Sequence, residues 1–379
     1  MKRLGDSVAV LLLACLCVAL WRAPSPPALV VREGTARRAR VLTVDDSNIE
    51  LHGVMKFGTQ HLTVGMLDGP NSGKTFRAVN ELRAQMDLDK HFAPGDEAVV
   101  IERGGENPDT DTLVARDHWR LGWAFTLFLC FCALLCLFGG WTGMKALFSF
   151  VLSCLVVWKG VIPLALRGWS ASWTSFAAVC LLSAVIMYLV AGFTRKGVAA
   201  FLGTALGILA GLGMAHAFGR LMHINGATMP YVQTLLYSGY EFLNLQDIFI
   251  GAMVLASSGA VMDLAMDIAS GVEEVARHNP TLPRRELLLS GVRIGRSVVG
   301  TMTTTLLLAY SGGYITLLMA FAAQGTHPLD FINSTLVSAE LVKTLIGSFS
   351  LVLVAPFTAF TASIVFAPRK EENVERLEA

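Results

Sequence analysis

The sequence predicts a mainly α-helical, polytopic membrane protein, a transmembrane helical bundle of about eight spans with one small extracytoplasmic β-rich domain, a barrel or a sandwich. The first observation is composition, because the 379 residues are 54% hydrophobic and 16% charged, with a mean hydropathy of +0.56. A chain of this kind needs lipid as a solvent. The second is that apolar runs close to the roughly 20 residues that cross a bilayer core recur along the chain. The third is one polar segment, residues 22–118, whose short runs alternate as strands do.

Residues 1–21 are the first predicted element, an N-terminal membrane anchor or signal-like helix. Its apolar run, residues 8–21, is only 14 residues long and follows Lys2 and Arg3, as in a secretory signal. Because no small-x-small cleavage site precedes the prolines at 24–27, we favour an uncleaved anchor.

Residues 22–118 form the predicted β-rich domain. Residues 75–85 fit a short helix or another strand, and Pro94-Gly95-Asp96 is a turn signal. Strand-like runs occur at residues 40–44, 61–67, 97–102 and 112–116.

The segment from Gly69 to Thr75 in this domain imitates a phosphate-binding P-loop. That motif needs a glycine five positions before Gly73, where this sequence has Asp68. Pro70 also removes a backbone N–H that a phosphate would use. We therefore interpret the segment as a surface turn.

Residues 119–368 form the predicted seven-helix membrane domain, followed by a cytoplasmic tail at 369–379. Thirteen Lys or Arg residues fall in the predicted inner segments and three in the short outer loops, which puts both termini in the cytoplasm. The predicted spans are residues 119–138, 146–166, 172–193, 198–218, 248–267, 297–321 and 342–366.

Asp263 and Asp267 are the carboxylates that lie deepest in a predicted span, four residues apart and therefore on one helix face. Ionisable residues inside a membrane are costly and mark functional candidates. Arg293 and Arg296 enter from the same side on the next helix, so a carboxylate to guanidinium pair is geometrically natural. A binding or gating site at the inner mouth and an interfacial ion pair that fixes helix packing both remain open.

A hydroxyl-rich stretch follows Arg296 and includes Thr301, Thr304 and Tyr310, with Gly312 and its neighbour near the middle of the span. Paired glycines at that depth fit an unwound segment whose free backbone groups hold a solute. Close helix packing is the alternative, because small residues serve that purpose as well.

Gly203, Gly207 and Gly211 are four residues apart and predict a flat strip for tight helix packing. The seven cysteines fall in apolar runs, so neither a disulfide framework nor a cysteine metal site is expected. The spacing of the polar residues gives no catalytic residue, metal site or cofactor to propose. Lys and Arg form no basic face, so nucleic acid is not an expected partner.

The polar blocks around the two aspartates resemble the signature of the YibE/F-like membrane proteins. The matching blocks are Gly259 to Ser270, Ser290 to Arg296, Gly300 to Tyr310, with Thr304 where asparagine is expected, and Glu340 to Lys343 with Gly347 and Pro356. The resemblance extends over the β-rich domain and all later spans. It implies a multi-spanning protein of the bacterial cytoplasmic membrane, of a family often described as permeases, without a settled substrate or catalytic residue.

The leading hypothesis is a permease for an unidentified small solute or ion, not an enzyme. Asp263, Asp267 and Arg296 gate or bind at the inner mouth, and Thr301, Thr304, Tyr310 and Gly312 line the path. The alternative is a non-transporting scaffold in the lipid bilayer, whose β-rich domain binds an envelope partner or a second copy of the chain. An intramembrane aspartyl enzyme has the weakest support, because such enzymes draw their two carboxylates from two helices.

Overall fold

A computed structural model describes residues 15, 17–22, 34–86, 88–102 and 111–367. The chain divides into two compact units, Val30–Leu135 and the combination of Met1–Leu29 with Cys136–Ala379. We call the first the barrel unit and the second the helical unit.

The barrel unit contains a sheet of six strands. β1 pairs with both β5 and β3, and the ring is completed by β6 and β4, so five strands close on themselves while β2 extends β3 as a hairpin. All neighbours are antiparallel except β4 and β6. The predicted β-rich domain is confirmed, and of the two forms it is barrel-like. The strands are β1 Thr35–Asp45, β2 Ile49–His52, β3 Met55–Met66, β4 Thr75–Arg83, β5 Glu97–Glu102 and β6 Thr112–His118.

Alternation along the strands fills the barrel, since every second side chain of β4 and β5 is buried. The buried polar residues Gln60 and Asn80 are hydrogen-bonded to each other and to one loop. Gln60 donates to the Phe92 carbonyl at 3.0 Å and accepts from the Phe92 N–H at 3.0 Å. At the surface, a hydrogen bond from the Arg38 guanidinium lowers the pKa of Glu97.

The predicted strands all fall on observed ones, and residues 75–85 contain β4 and no helix. The short strand β2 was not predicted. Residues 67–74 form the turn between β3 and β4, where Gly69 and Gly73 both have positive φ.

After the strands of the barrel unit, the chain is helical from Leu121 onward, and the fold is mainly helical, as predicted. A π-helical turn, Val157–Val161, separates the first two helices. The helices are α1 Leu121–Val156, α2 Ile162–Leu166, α3 Ala171–Ala191, α4 Arg195–Leu221, α5 Val232–Tyr237, α6 Leu245–His278, α7 Arg284–Gly313, α8 Ile315–Ala323, α9 Pro328–Asn333 and α10 Thr335–Phe366.

Five helices in the described residues are long and apolar enough to cross a membrane, or six when the bent pair α7 and α8 counts as one span. α7 and α8 meet at 62°. The others are the stretch Leu121–Leu166, Ala171–Leu189, and the helices α4, α6 and α10.

The spans predicted at residues 119–138 and 146–166 form one helical stretch of 46 residues. No loop separates them, because the residues between them are mostly apolar or glycine and do not stop a helix. Gly140 breaks the stretch with φ 51° and ψ −126°. The predicted first helix lies mostly outside the described residues, although residues 17–22 are helical, and the predicted tail at 369–379 lies wholly outside them.

α6 and α10 are the centre of the helical unit. α10 packs on α4, α6 and α7, while α3 packs on α4 and α6. The shared core contains fully buried side chains such as Val261, Leu264 and Ile268 from α6 and Leu351 and Val354 from α10.

Candidate functional site

α6 has a buried face and an exposed face. Ala265 and Ile268 have no exposed surface, whereas Asp263 and Asp267 are exposed on the opposite side. The exposed face continues toward the start of the helix with small residues, Ala252, Ala256 and Gly259. We call Gly259, Asp263 and Asp267 the aspartate stripe.

The aspartate stripe lies between two charged ends of α6. At one end Asp247 lies 3.7 Å from His216, and at the other Glu273 pairs with Lys196 at 3.5 Å. A rise of about 1.5 Å per residue puts Asp263 about 24 Å from Asp247 and about 15 Å from Glu273. Asp263 therefore lies well inside the apolar length of the helix.

α7 also turns polar side chains away from the packed core. Arg293, Arg296, Thr301 and Thr304 are exposed, and so is Gly300. The Thr301 hydroxyl donates to the Val298 carbonyl at 3.0 Å, and the Thr304 hydroxyl donates to the Gly300 carbonyl at 3.1 Å. Each hydroxyl oxygen keeps lone pairs that can accept a hydrogen bond from a solute.

The expected ion pair between an aspartate of α6 and an arginine of α7 does not occur within the described part of the chain. α6 and α7 pack closely where Gly295 meets Ile268 and where Gly271 meets Ile294. Asp263, Asp267, Arg293 and Arg296 lie on other sides of their helices, and no ion pair joins them. That expectation was wrong, because equal depth on neighbouring helices does not fix the direction of a side chain.

Tyr310 and Gly312 differ in their surroundings. Tyr310 packs near Gly347 of α10, and its buried hydroxyl has no hydrogen-bond partner among the described residues. Gly312 and Gly313 have no neighbour within 4 Å of an added Cβ, so they do not serve close packing. The helix axis bends by 62° directly after them, at Tyr314, where a break was expected from the paired glycines.

The structure places the three glycines of α4 against α10. An added Cβ would lie 2.7 Å from the Cα of Thr358 at Gly203, 2.9 Å from Val354 at Gly207 and 3.0 Å from the Cβ of Ser350 at Gly211. We call these residues the glycine stripe. It lets two backbones approach closely, and its glycines carry no side chain that could act on a solute.

A polar cavity of about 350 Å³ lies at the other end of α6, where α3, α4 and α6 meet. We call it the Asp247 cavity. Its polar lining residues are Ser170, His216, Arg220, Asn244, Gln246 and Asp247.

The side chains of the Asp247 cavity form a connected group. His216 Nδ1 donates to the Leu212 carbonyl at 3.0 Å, which leaves Nε2 facing the buried Ser172 hydroxyl at 3.5 Å and Asp247 at 3.7 Å. Asp247 also accepts the Ser172 backbone N–H at 3.3 Å. Both oxygens and the histidine ring are thereby held in place.

Two glycines allow the three helices to converge at this cavity. An added Cβ at Gly251 would lie 2.7 Å from the Ala171 carbonyl oxygen, and one at Gly219 would lie 3.2 Å from the Gln246 amide. This site is not predictable from the sequence, because its residues are spread over 165–250 and match no motif. The one available signal was His216, a histidine inside a predicted span with Arg220 four residues later.

The described residues hold no group of three or more His, Cys, Asp or Glu side chains suited to a metal ion. The family model described as YibE/F-like protein matches residues 127–368, more than half of the chain. This match includes every residue of both stripes and of the Asp247 cavity, but not the β-barrel, which the resemblance in the sequence had included. Neither a curated protein nor a solved structure matches the chain.

Proposed function

This chain belongs to the YibE/F-like family, and from that premise we propose that it is a membrane permease for a small solute or ion. The single observation that supports this function is the exposure of Asp263 and Asp267 deep along α6. A charged side chain at the centre of a bilayer costs about 2.5–3.5 kcal/mol even on the most lenient scales. Two such residues, without an ion-pair partner among the described residues, are best explained by a wet path beside the helix.

The polar residues of α7 supply the rest of this path. In the proposal, Asp263, Asp267 and Arg296 bind or gate near the end of α6 marked by Glu273. Thr301 and Thr304 offer acceptor oxygens further along. Tyr310, whose hydroxyl has no hydrogen-bond partner in the described part of the chain, and the open backbone at Gly312 follow toward the bend. Carboxylates spaced one helical turn apart can bind a proton or a cation, because the negative charge of each one favours neutralisation of the other.

Flux through reconstituted protein tests the function. Vesicles containing the full chain should admit protons, reported by an entrapped pH dye, or labelled sodium, rubidium or phosphate faster than empty vesicles. Asp263→Asn should slow the flux roughly tenfold, because it removes a charge on the path. Glu274→Gln is the matched control, since Glu274 lies on the same helix beyond the stripe and pairs with Arg277.

Equal flux in wild type and Asp263→Asn would remove Asp263 from the mechanism. Vesicles that admit none of the probes would favour the scaffold alternative. One observation supports that alternative, because Leu51, Val54 and Phe57 at the β2–β3 hairpin are exposed apolar side chains, suited to a protein partner.

We further propose eight spans in the bacterial cytoplasmic membrane, with both termini in the cytoplasm and the barrel unit outside. Gly140 supports this count, because it breaks the 46-residue stretch between two predicted spans. At 1.5 Å per residue that stretch is about 69 Å long, roughly twice what one bilayer core needs. Labelling of single cysteines from either side should find residue 145 and the barrel on opposite sides; finding both on one side would contradict the topology.

A further inference from the structure

The Asp247 cavity is not explained by the path proposed along α6 and α7. It lies about 24 Å from Asp263 along the helix. Its charged groups differ as well, because it combines Arg220 and His216 with one carboxylate, whereas the aspartate stripe has carboxylates only.

The single carboxylate of the cavity is already engaged. One oxygen of Asp247 accepts the Ser172 N–H, and the other faces His216 Nε2. Arg220 borders the same cavity, and no described carboxylate lies within ion-pair distance of its guanidinium. The group that remains free to bind a ligand is therefore a cation.

The surrounding backbone and hydroxyl groups favour the same ligand charge. α3 begins at Ala171 and α6 begins at Leu245, and their N-capping residues, Ser170 and Asn244, both line the cavity. The N-terminal end of a helix carries a partial positive charge of about half an elementary charge. The Ser172 hydroxyl has no exposed surface and lies behind His216, outside the lining of the cavity.

We propose that the Asp247 cavity binds a small oxyanion, a carboxylate or a phosphate group, held by Arg220 and by the side-chain amides of Asn244 and Gln246. A guanidinium binds both kinds of group through two parallel hydrogen bonds. The volume of about 350 Å³ limits the ligand to a small molecule. This inference goes beyond the proposed function, because the cavity can bind an oxyanion at equilibrium whether or not the protein transports a solute.

Equilibrium dialysis of the full chain in detergent micelles tests the site, with labelled inorganic phosphate and labelled acetate as separate probes. We expect saturable binding of one probe per chain, and the stronger probe identifies phosphate or carboxylate as the preferred group. Arg220→Gln should weaken binding roughly tenfold or more. Arg167→Gln is the matched control. Arg167 directly follows α2 and precedes the lining residue Gly168, but it does not itself line the cavity.

Ala165→Phe provides a second test in case Arg220→Gln does not fold. Ala165 lines the cavity, and a phenylalanine there would occupy its volume without changing charge, so binding should again be lost. The proposal is overturned if neither probe binds saturably, or if a folded variant of either kind binds as wild type does. A failure of flux with intact binding would contradict only the permease proposal.

Discussion

The glycine stripe of α4 and the aspartate stripe of α6 have the same spacing and opposite surroundings. Each places three residues four positions apart on one face of a long helix. Gly203, Gly207 and Gly211 are buried against α10, whereas Gly259 and the two aspartates are exposed. Spacing thus determines that residues share a face, and residue type determines whether that face can be packed.

The physical reason is the cost of desolvation. Small residues without charge lose nothing when a neighbouring backbone covers them, and they gain close van der Waals contact. An unpaired carboxylate in a dry interface would lose its hydration without a compensating partner. The aspartate stripe therefore stays outside the core, and the helix turns Val261, Leu264 and Ile268 inward.

The largest expected effect is on stability, when a glycine of each stripe is replaced by leucine. Gly203→Leu should destabilise the helical unit by about 3 kcal/mol or more, because even its Cβ would lie 2.7 Å from the Thr358 backbone. Gly259→Leu, with no atom within 4 Å of an added Cβ, should leave stability nearly unchanged. Denaturant unfolding in mixed micelles measures both.

Equal losses at Gly203 and Gly259 would show that Gly259 is covered in solution. The cover would then come from outside the described part of this chain, for example from a second copy. In that case both stripes would be packed, the glycine stripe within one chain and the aspartate stripe between chains.

A smaller effect tests whether the aspartates contribute to stability. Asp263→Asn should change the free energy of unfolding by less than about 0.5 kcal/mol, because it breaks no ion pair and removes like-charge repulsion with Asp267. Asp247→Asn, the same substitution on the same helix, should cost about 1 kcal/mol, since it weakens the acceptor of the Ser172 N–H and the contact with His216. A larger loss at Asp263 than at Asp247 would mean that Asp263 has a structural partner.

The sequence predicted the elements better than their orientations. Alternation identified most strands, and apolar length identified the long helices, although two predicted spans form the single stretch Leu121–Leu166. The sequence did not show that the helix would continue on both sides of Gly140, or that Arg296 would point away from Asp267. The Asp247 cavity depends on contacts between α3, α4 and α6 through Gly219 and Gly251, and such long-range contacts leave no pattern in one sequence.

The amide side chains of Gln60 and Asn80 affect the redox conditions under which the barrel unit can fold. They attach the loop around Phe92 to the barrel wall by hydrogen bonds, the Phe92 side chain is buried in the barrel core, and residues 22–118 contain no cysteine. Many small domains outside the cytoplasm use disulfides for such attachments and depend on oxidising conditions to mature. This domain can reach its folded state at any thiol redox potential, without an oxidase or an isomerase.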